Sequence, residues 1–539
     1  MFNGLTFRAL VAASFTTALA TTAAASPQAA LPASPSGGYA RVHHVVSTQS
    51  AAAQAYFDRG LTLLYAFNRR AARESFLWAA AADPHLAMAY WGVAMSYGGN
   101  INVPQDAAGE REAANAASKA RGLESHASPP ERAYIATLAH RFTAAPKPNF
   151  VALARSYAAA MAALAAEYPG DPDAATLYAE SEMDLRPWDL YAVDGTPRPG
   201  TQNICATLES VLRRFPTHIG ANHLYIHATE GGLHPELALQ AAGRIASRHF
   251  EPAASHLTHM PAHTLARTGY YGAAGGSNVL ATAYDRSYLG SEGRDDKEQP
   301  GYYIHDLTFL AFTDAMDGNF ERERSTMARL QKMGQIVPIT FVLLRYGRWH
   351  DILALKTPKP DQYDPLRFVY WRFARAMAFA ARTNLTMAIA ERNAMHRAAA
   401  ASPLPPINGF TNGSVAIAHL ADLTIDAEIG RATNEEAREI AALRAAAAAQ
   451  DRFIYIEPPD WYGSAREALG GALLRAGRDA GAAIAFRTDL TRNPGNPRSL
   501  YGLSRALTAE GKSADATRVR AQYVNAWKNA TVALTEASL

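Results

Sequence analysis

The chain has 539 residues, of which 48% are apolar and 19% charged, the balance of a soluble globular protein. A net charge of +3 is small for that length, and no basic stripe with interleaved aromatics occurs, which argues against nucleic acid as a partner. With Cys205 as the sole cysteine, no internal disulfide can form.

Residues 1–25 read as a secretory signal peptide: Arg8, then a mildly apolar run from Ala9 that ends in Ala23-Ala24-Ala25. Cleavage after Ala25 leaves residues 26–50 as a flexible leader and predicts a periplasmic or secreted protein. No lipid-attachment cysteine follows the signal, and no later apolar run is expected to span a bilayer.

From residue 51 to 539 the chain reads as a single all-α solenoid of tetratricopeptide-like hairpins. In AYFDRGLTLLYAFNRRAARESFLWAAAADP the small residues Gly60, Ala72 and Ala79 alternate with Tyr56, Leu63 and Phe76, which predicts two amphipathic helices and a turn in about 34 residues. That unit occupies 53–86, and the register restarts over 87–120. Helices are predicted from Ala107 to Arg121, Pro130 to Arg141 and Ala174 to Leu185, followed by an extended loop insertion over 187–201 rich in Pro and Gly. Further repeats fall near 219–252, 255–288, 304–337, 463–496 and 497–530, with a less legible stretch from Val337 to Ala445.

The segments AYFDRGLTLLYAFNRRAARESF, AMAYWGVAMSYGGN, RPWDLYAVDGTPRPGT, GANHLYIHATE, HLTHMPAHTLARTGYY and EPPDWYGSAREALGGALLRAGR together resemble a family of exported bacterial tetratricopeptide-repeat proteins of ill-defined activity. HLYIHxxE and HxxHMPxH are its most distinctive motifs, and the likeness implies a fold rather than a reaction. Gly463-Ser464 departs from the large residue and proline that often follow the aromatic pair Trp461-Tyr462.

Eight of the 17 histidines lie between His223 and His305. In tetratricopeptide units the second, fifth, ninth and twelfth residues of the first helix line the concave groove. Counted from helix starts set by prolines and glycines, those positions hold His223, His227 and Glu230 in one unit, His256, His259 and His263 in the next, and His305 in a third. Imidazoles at i and i+4 converge on one ion, and a carboxylate one turn on completes the set or orients a ligand. These seven residues are therefore the candidate ligands of one or two transition-metal ions, with copper, zinc and iron all compatible. Glu230 is the candidate general base, and a metal-dependent oxidoreductase and a hydrolase are both open. The competing reading is a non-catalytic scaffold whose groove holds a small molecule, a peptide or a partner protein, the histidines only hydrogen-bonding.

Pro261 lies inside the second motif and should kink or restart its helix. His43 and His44 read as exposed leader residues, although a leader folding back over the groove would make them a lid. His218 and six other isolated histidines carry no predicted role. Phe57, Trp91, Met95 and Met183 fall on groove positions and read equally as a pocket wall or as packing.

Overall fold

The computed structural model describes residues 38–293, 301–359, 366–401 and 412–539. The predicted signal peptide, and the leader up to residue 37, lie outside them. The fold is all-α and built of tetratricopeptide-like helical hairpins; among the described residues β-structure is limited to two isolated bridges, Asn100 with Val103 and Tyr191 with Pro197. The chain divides into two compact units.

Unit 1 holds, as far as they are described, residues up to Tyr191, with Thr196–Pro261 and Ala283–Gly293. Its hairpins pair Ala51–Tyr65 with Arg69–Ala82, Ala87–Met95 with Ala107–Gly122, Pro129–Arg141 with Phe150–Glu167, and Pro172–Met183 with Thr201–Arg214. The helix Ile219–Glu230 follows and is buried along its whole length. Side-chain caps start several of these helices: Ser50, Asn68, Asp106, Asn149 and Asp171 each accept a backbone N–H of the first turn. Among the described residues one helix, Phe150–Glu167, is long and apolar enough to cross a membrane by length and composition, against the expectation from the sequence. In the fold it packs on Pro129–Arg141 and Pro172–Met183 through Tyr157, Ala158, Met161 and Leu164, a helical-period stripe that makes it a hairpin partner.

Unit 2 holds Ala192–Gly195, Ala262–Thr282 and, as far as they are described, residues 294–539. Here Gly301–Asp317 pairs with Phe320–Lys332, Ala465–Arg475 with Asp479–Arg492, and Pro497–Ala509 with Ser513–Ala526. The stretch that was hard to read contains three more hairpins, at 337–354, 367–401 and 414–450.

The same packing device recurs in both units. A Cβ added at Gly60 or Gly92 would lie within 3.0 Å of the Phe76 ring, and one added at Gly470 or Gly502 within 3.0 Å of the Phe486 ring. Each phenylalanine, fully buried, is thus clasped by a glycine of its own hairpin and one of the next. Close backbone approach to an aromatic ring is what glycine permits and any side chain forbids.

The hairpin turns share a second device. Gly318, Gly347, Gly477 and Gly511 each follow a helix with φ between +61° and +76°. Backbone N–H groups at these turns bond back to the last carbonyls of the helix, as Arg348 N–H does to Leu343 and Lys512 N–H to Leu507. Two bulky residues adopt the same left-handed conformation, Phe67 at +57° and Trp188 at +60°.

Candidate metal centre

The helix Ile219–Glu230 places His223 and His227 one turn apart, so their rings stand on the same face with centroids 4.9 Å apart. The five-residue helix Ser255–His259 brings in His256, whose ring lies 5.0 Å from His223 and 5.9 Å from His227. The chain leaves that helix at Met260 and starts another at Pro261, the restart that the proline predicts. All three imidazoles are buried, with 0–4% of their surface exposed. Each offers a ring nitrogen, and the three nitrogens lie within 4.8 Å of one another. An ion bound to each imidazole at about 2.0–2.1 Å sets neighbouring nitrogens within about 4 Å, so small side-chain movements complete the centre.

Hydrogen bonding fixes the tautomers of two of these rings. His223 Nδ1 is 2.6 Å from the Tyr65 carbonyl oxygen, which can only accept. His227 Nδ1 is 2.8 Å from Glu230 Oε1. Both Nδ1 atoms are therefore assigned as donors, which leaves Nε2 as the nitrogen each ring would offer an ion. An imidazole held through one nitrogen by a carbonyl or carboxylate, with the other facing its neighbours, is the arrangement protein metal sites use to orient ligands. Glu230, named from the sequence as ligand or general base, accepts from His227 Nδ1.

Aromatic residues wall the cluster. The Phe67 ring lies 4.6 Å from His223, 6.0 Å from His227 and 5.5 Å from His256, stacked on the latter two. Trp188 meets His227 edge-on at 5.8 Å, and its indole N–H donates to Asn102 Oδ1 at 3.1 Å. The two bulky residues with left-handed backbone are thus the two that pack on the histidines. Strain of this kind persists only where surrounding structure enforces it, and it concentrates at functional sites. Asn68, next to Phe67, donates to the Ala253 carbonyl at 2.8 Å and ties the turn to the segment that delivers His256.

The other predicted ligands are placed as follows. His259 is fully buried in unit 1, its ring stacked 5.7 Å from that of His256. His263 and His305 belong to unit 2, where their rings stack at 6.0 Å and Phe309 lies 5.1 Å from His263. The helix carrying His305 begins at Gly301, three residues before the expected start, so His305 is its fifth residue rather than its second. Phe57, Trp91, Met95 and Met183 are all buried, which makes them packing residues. The Tyr225 hydroxyl donates to Glu209 at 2.7 Å.

Two more histidines prove to be structural: His218, given no role in the sequence, and His44, read there as exposed but half-buried in the fold. His44 Nδ1 is 2.8 Å from Asp173 Oδ2, and His218 Nε2 is 3.0 Å from Asp173 Oδ1. His218 also caps Ile219–Glu230, its Nδ1 accepting the Ala221 N–H at 3.0 Å. Only the cap was foreseeable, from the proline two residues earlier; the shared aspartate is 129 residues from His44. His43, as expected, is exposed, although it reaches Asp58 at 2.7 Å.

Comparison with protein-family models and with curated proteins returns no match. Among solved structures, human IFIT1, as the dimer with PPP-AAAA, is similar at 12% identity and a TM-score of 0.32, covering 86% of this chain and 90% of that one. A likeness that remote bears on neither the site nor its chemistry.

Proposed function

We propose that unit 1 binds one transition-metal ion through His223, His227 and His256, and that the protein is an exported metal-dependent oxidoreductase or hydrolase. The observation that carries this reading is the pair of Nδ1 hydrogen bonds, which turn the Nε2 lone pairs of His223 and His227 towards the same cluster. Three imidazoles without a thiolate suit zinc, copper or iron, and three protein ligands leave a coordination position for water or substrate. Bound there, the ion would supply Lewis acidity or redox chemistry. Glu230 holds His227 in its ligating tautomer, Tyr65 does the same for His223 through its carbonyl, and Phe67 and Trp188 shield the cluster from bulk water. The pair His263 and His305 in unit 2 supports a second ion only with further donors.

The test is elemental analysis by plasma mass spectrometry of untagged protein beside a His223→Ala/His227→Ala variant. Stoichiometric metal in the parent and none in the variant supports the reading and names the element. Absence from both after reconstitution with zinc, copper and iron overturns it, leaving a partner-binding helical scaffold.

A further inference from the structure

A second group of possible ligands in unit 1, His44 with Asp171 and Asp173, has atoms as close together as the three histidines do. Its hydrogen bonding is of another kind. Asp173 Oδ1 accepts from the Tyr65 hydroxyl at 2.7 Å and from His218 Nε2 at 3.0 Å, while Oδ2 takes His44 Nδ1 at 2.8 Å. Asp171 Oδ1 accepts the backbone N–H groups of Asp173 and Ala174, and its Oδ2 accepts from Tyr134. Every carboxylate oxygen is already engaged, so this group closes on itself as a polar hub rather than opening towards an ion.

The hub joins four pieces of the chain, and two lead directly to the metal centre. Tyr65, whose hydroxyl rests on Asp173, offers its carbonyl to His223. His218, held by the same carboxylate, caps the helix that carries His223 and His227. A third piece is the segment before the first helix. It is laced to unit 1 by Val42 N–H on Thr62 Oγ1, by the Gln54 amide on the His44 carbonyl, and by Ser47 N–H on Glu131. It meets the hub through His44. The Asp173 carboxyl is held well below the usual carboxylate range: burial opposes this, and the bonds from His218 and His44 overcome it.

We infer that Asp173 is a positioning residue for the three-histidine centre, and that docking of residues 39–50 through His44 is thermodynamically coupled to metal binding. This rests on the proposed metal site. Coupling of this kind is reciprocal: whatever factor the docked segment adds to metal affinity, the metal adds to docking.

The experiment titrates full-length protein with zinc(II) against a competing chelator, for the parent and for His44→Ala, His44→Asn and Asp173→Asn. Limited proteolysis of the segment is followed with and without zinc. Orienting groups beyond the ligands typically contribute about 10–100-fold to metal affinity, so Asp173→Asn should weaken zinc by about tenfold or more. His44→Ala should lose several-fold, His44→Asn, which places an N–H near the Nδ1 position, should recover most of it, and zinc should slow cleavage of the segment. With cobalt(II) as probe, the visible spectrum should shift in Asp173→Asn, as a loss of stability alone would not cause. Parent protein that binds zinc with His44→Ala unchanged within about twofold, and no protection of the segment, overturns the coupling alone. Parent protein that binds no metal overturns both readings. Should Asp173→Asn fail to fold, His44→Ala, whose side chain lies at the edge of unit 1, decides.

Discussion

Phe67 stands where four other hairpin turns of this chain carry glycine in the left-handed conformation. An L side chain there costs about 1–2 kcal/mol, and the return is a ring packed against all three histidines, tilted on His223 and stacked on His227 and His256. Substituting alanine removes the ring and keeps the backbone cost; substituting glycine removes both. Phe67→Gly should therefore be more stable than Phe67→Ala by about 1 kcal/mol in denaturant unfolding, with both binding metal more weakly than the parent. An alanine variant as stable as the glycine variant would show that the turn stores no strain. Glu230 allows a second check at this scale. Glu230→Gln retains an acceptor for His227 but loses the charge, and should cost about tenfold in metal affinity, whereas a general base would show its loss in turnover with affinity unchanged.

The helical hairpin is the element that repeats, and its glycine–phenylalanine–glycine clasp is the part most open to test. Gly92→Ala and Gly502→Ala each press a methyl group into a fully buried ring, and should destabilise by about 1–3 kcal/mol, read as a lower denaturation midpoint. Gly122→Ala, where an added Cβ meets nothing within 4 Å, is the control that should change little. These glycines are also why the all-α fold was legible: small residues at fixed intervals among large apolar ones admit few architectures. The histidine pattern was legible for a similar reason, since a spacing of four on a helix fixes a shared face, as at His223 and His227. What could not be read depends on distant partners. Nothing local to His44 or His218 announces that both bind Asp173, and nothing in YAFN announces that Phe67 takes a glycine's backbone to reach the cluster. The length of Phe150–Glu167 misled in the other direction, because its packing stripe lies within an otherwise apolar alanine-rich helix.

Across the molecule, burial raises several carboxyls: Glu180 and Glu428 to about 7, and Asp314 to about 6 although Arg322 Nε donates to it at 2.8 Å. A carboxyl whose folded value lies above its unfolded one stabilises the fold below the unfolded value and loses that contribution as pH rises through the folded value. Asp173, held low, acts in the opposite sense and loses its contribution as the pH falls through the acid range. The metal-free protein should therefore melt at a higher temperature at about pH 5 than at about pH 8, and Glu428→Gln should flatten part of that slope. A melting temperature that rises over this interval would mean that these carboxyls stay charged in the fold. The same aspartate has a consequence in time. His44 emerges from the ribosome 129 residues before Asp173, an interval on the order of ten seconds at about 5–20 residues per second. Within that interval the segment gains its partners Asp58, Thr62 and Glu131 but not the carboxylate that receives its imidazole. The three histidines of the cluster emerge after every part of the hub, so the framework that positions them is translated before the metal centre it serves.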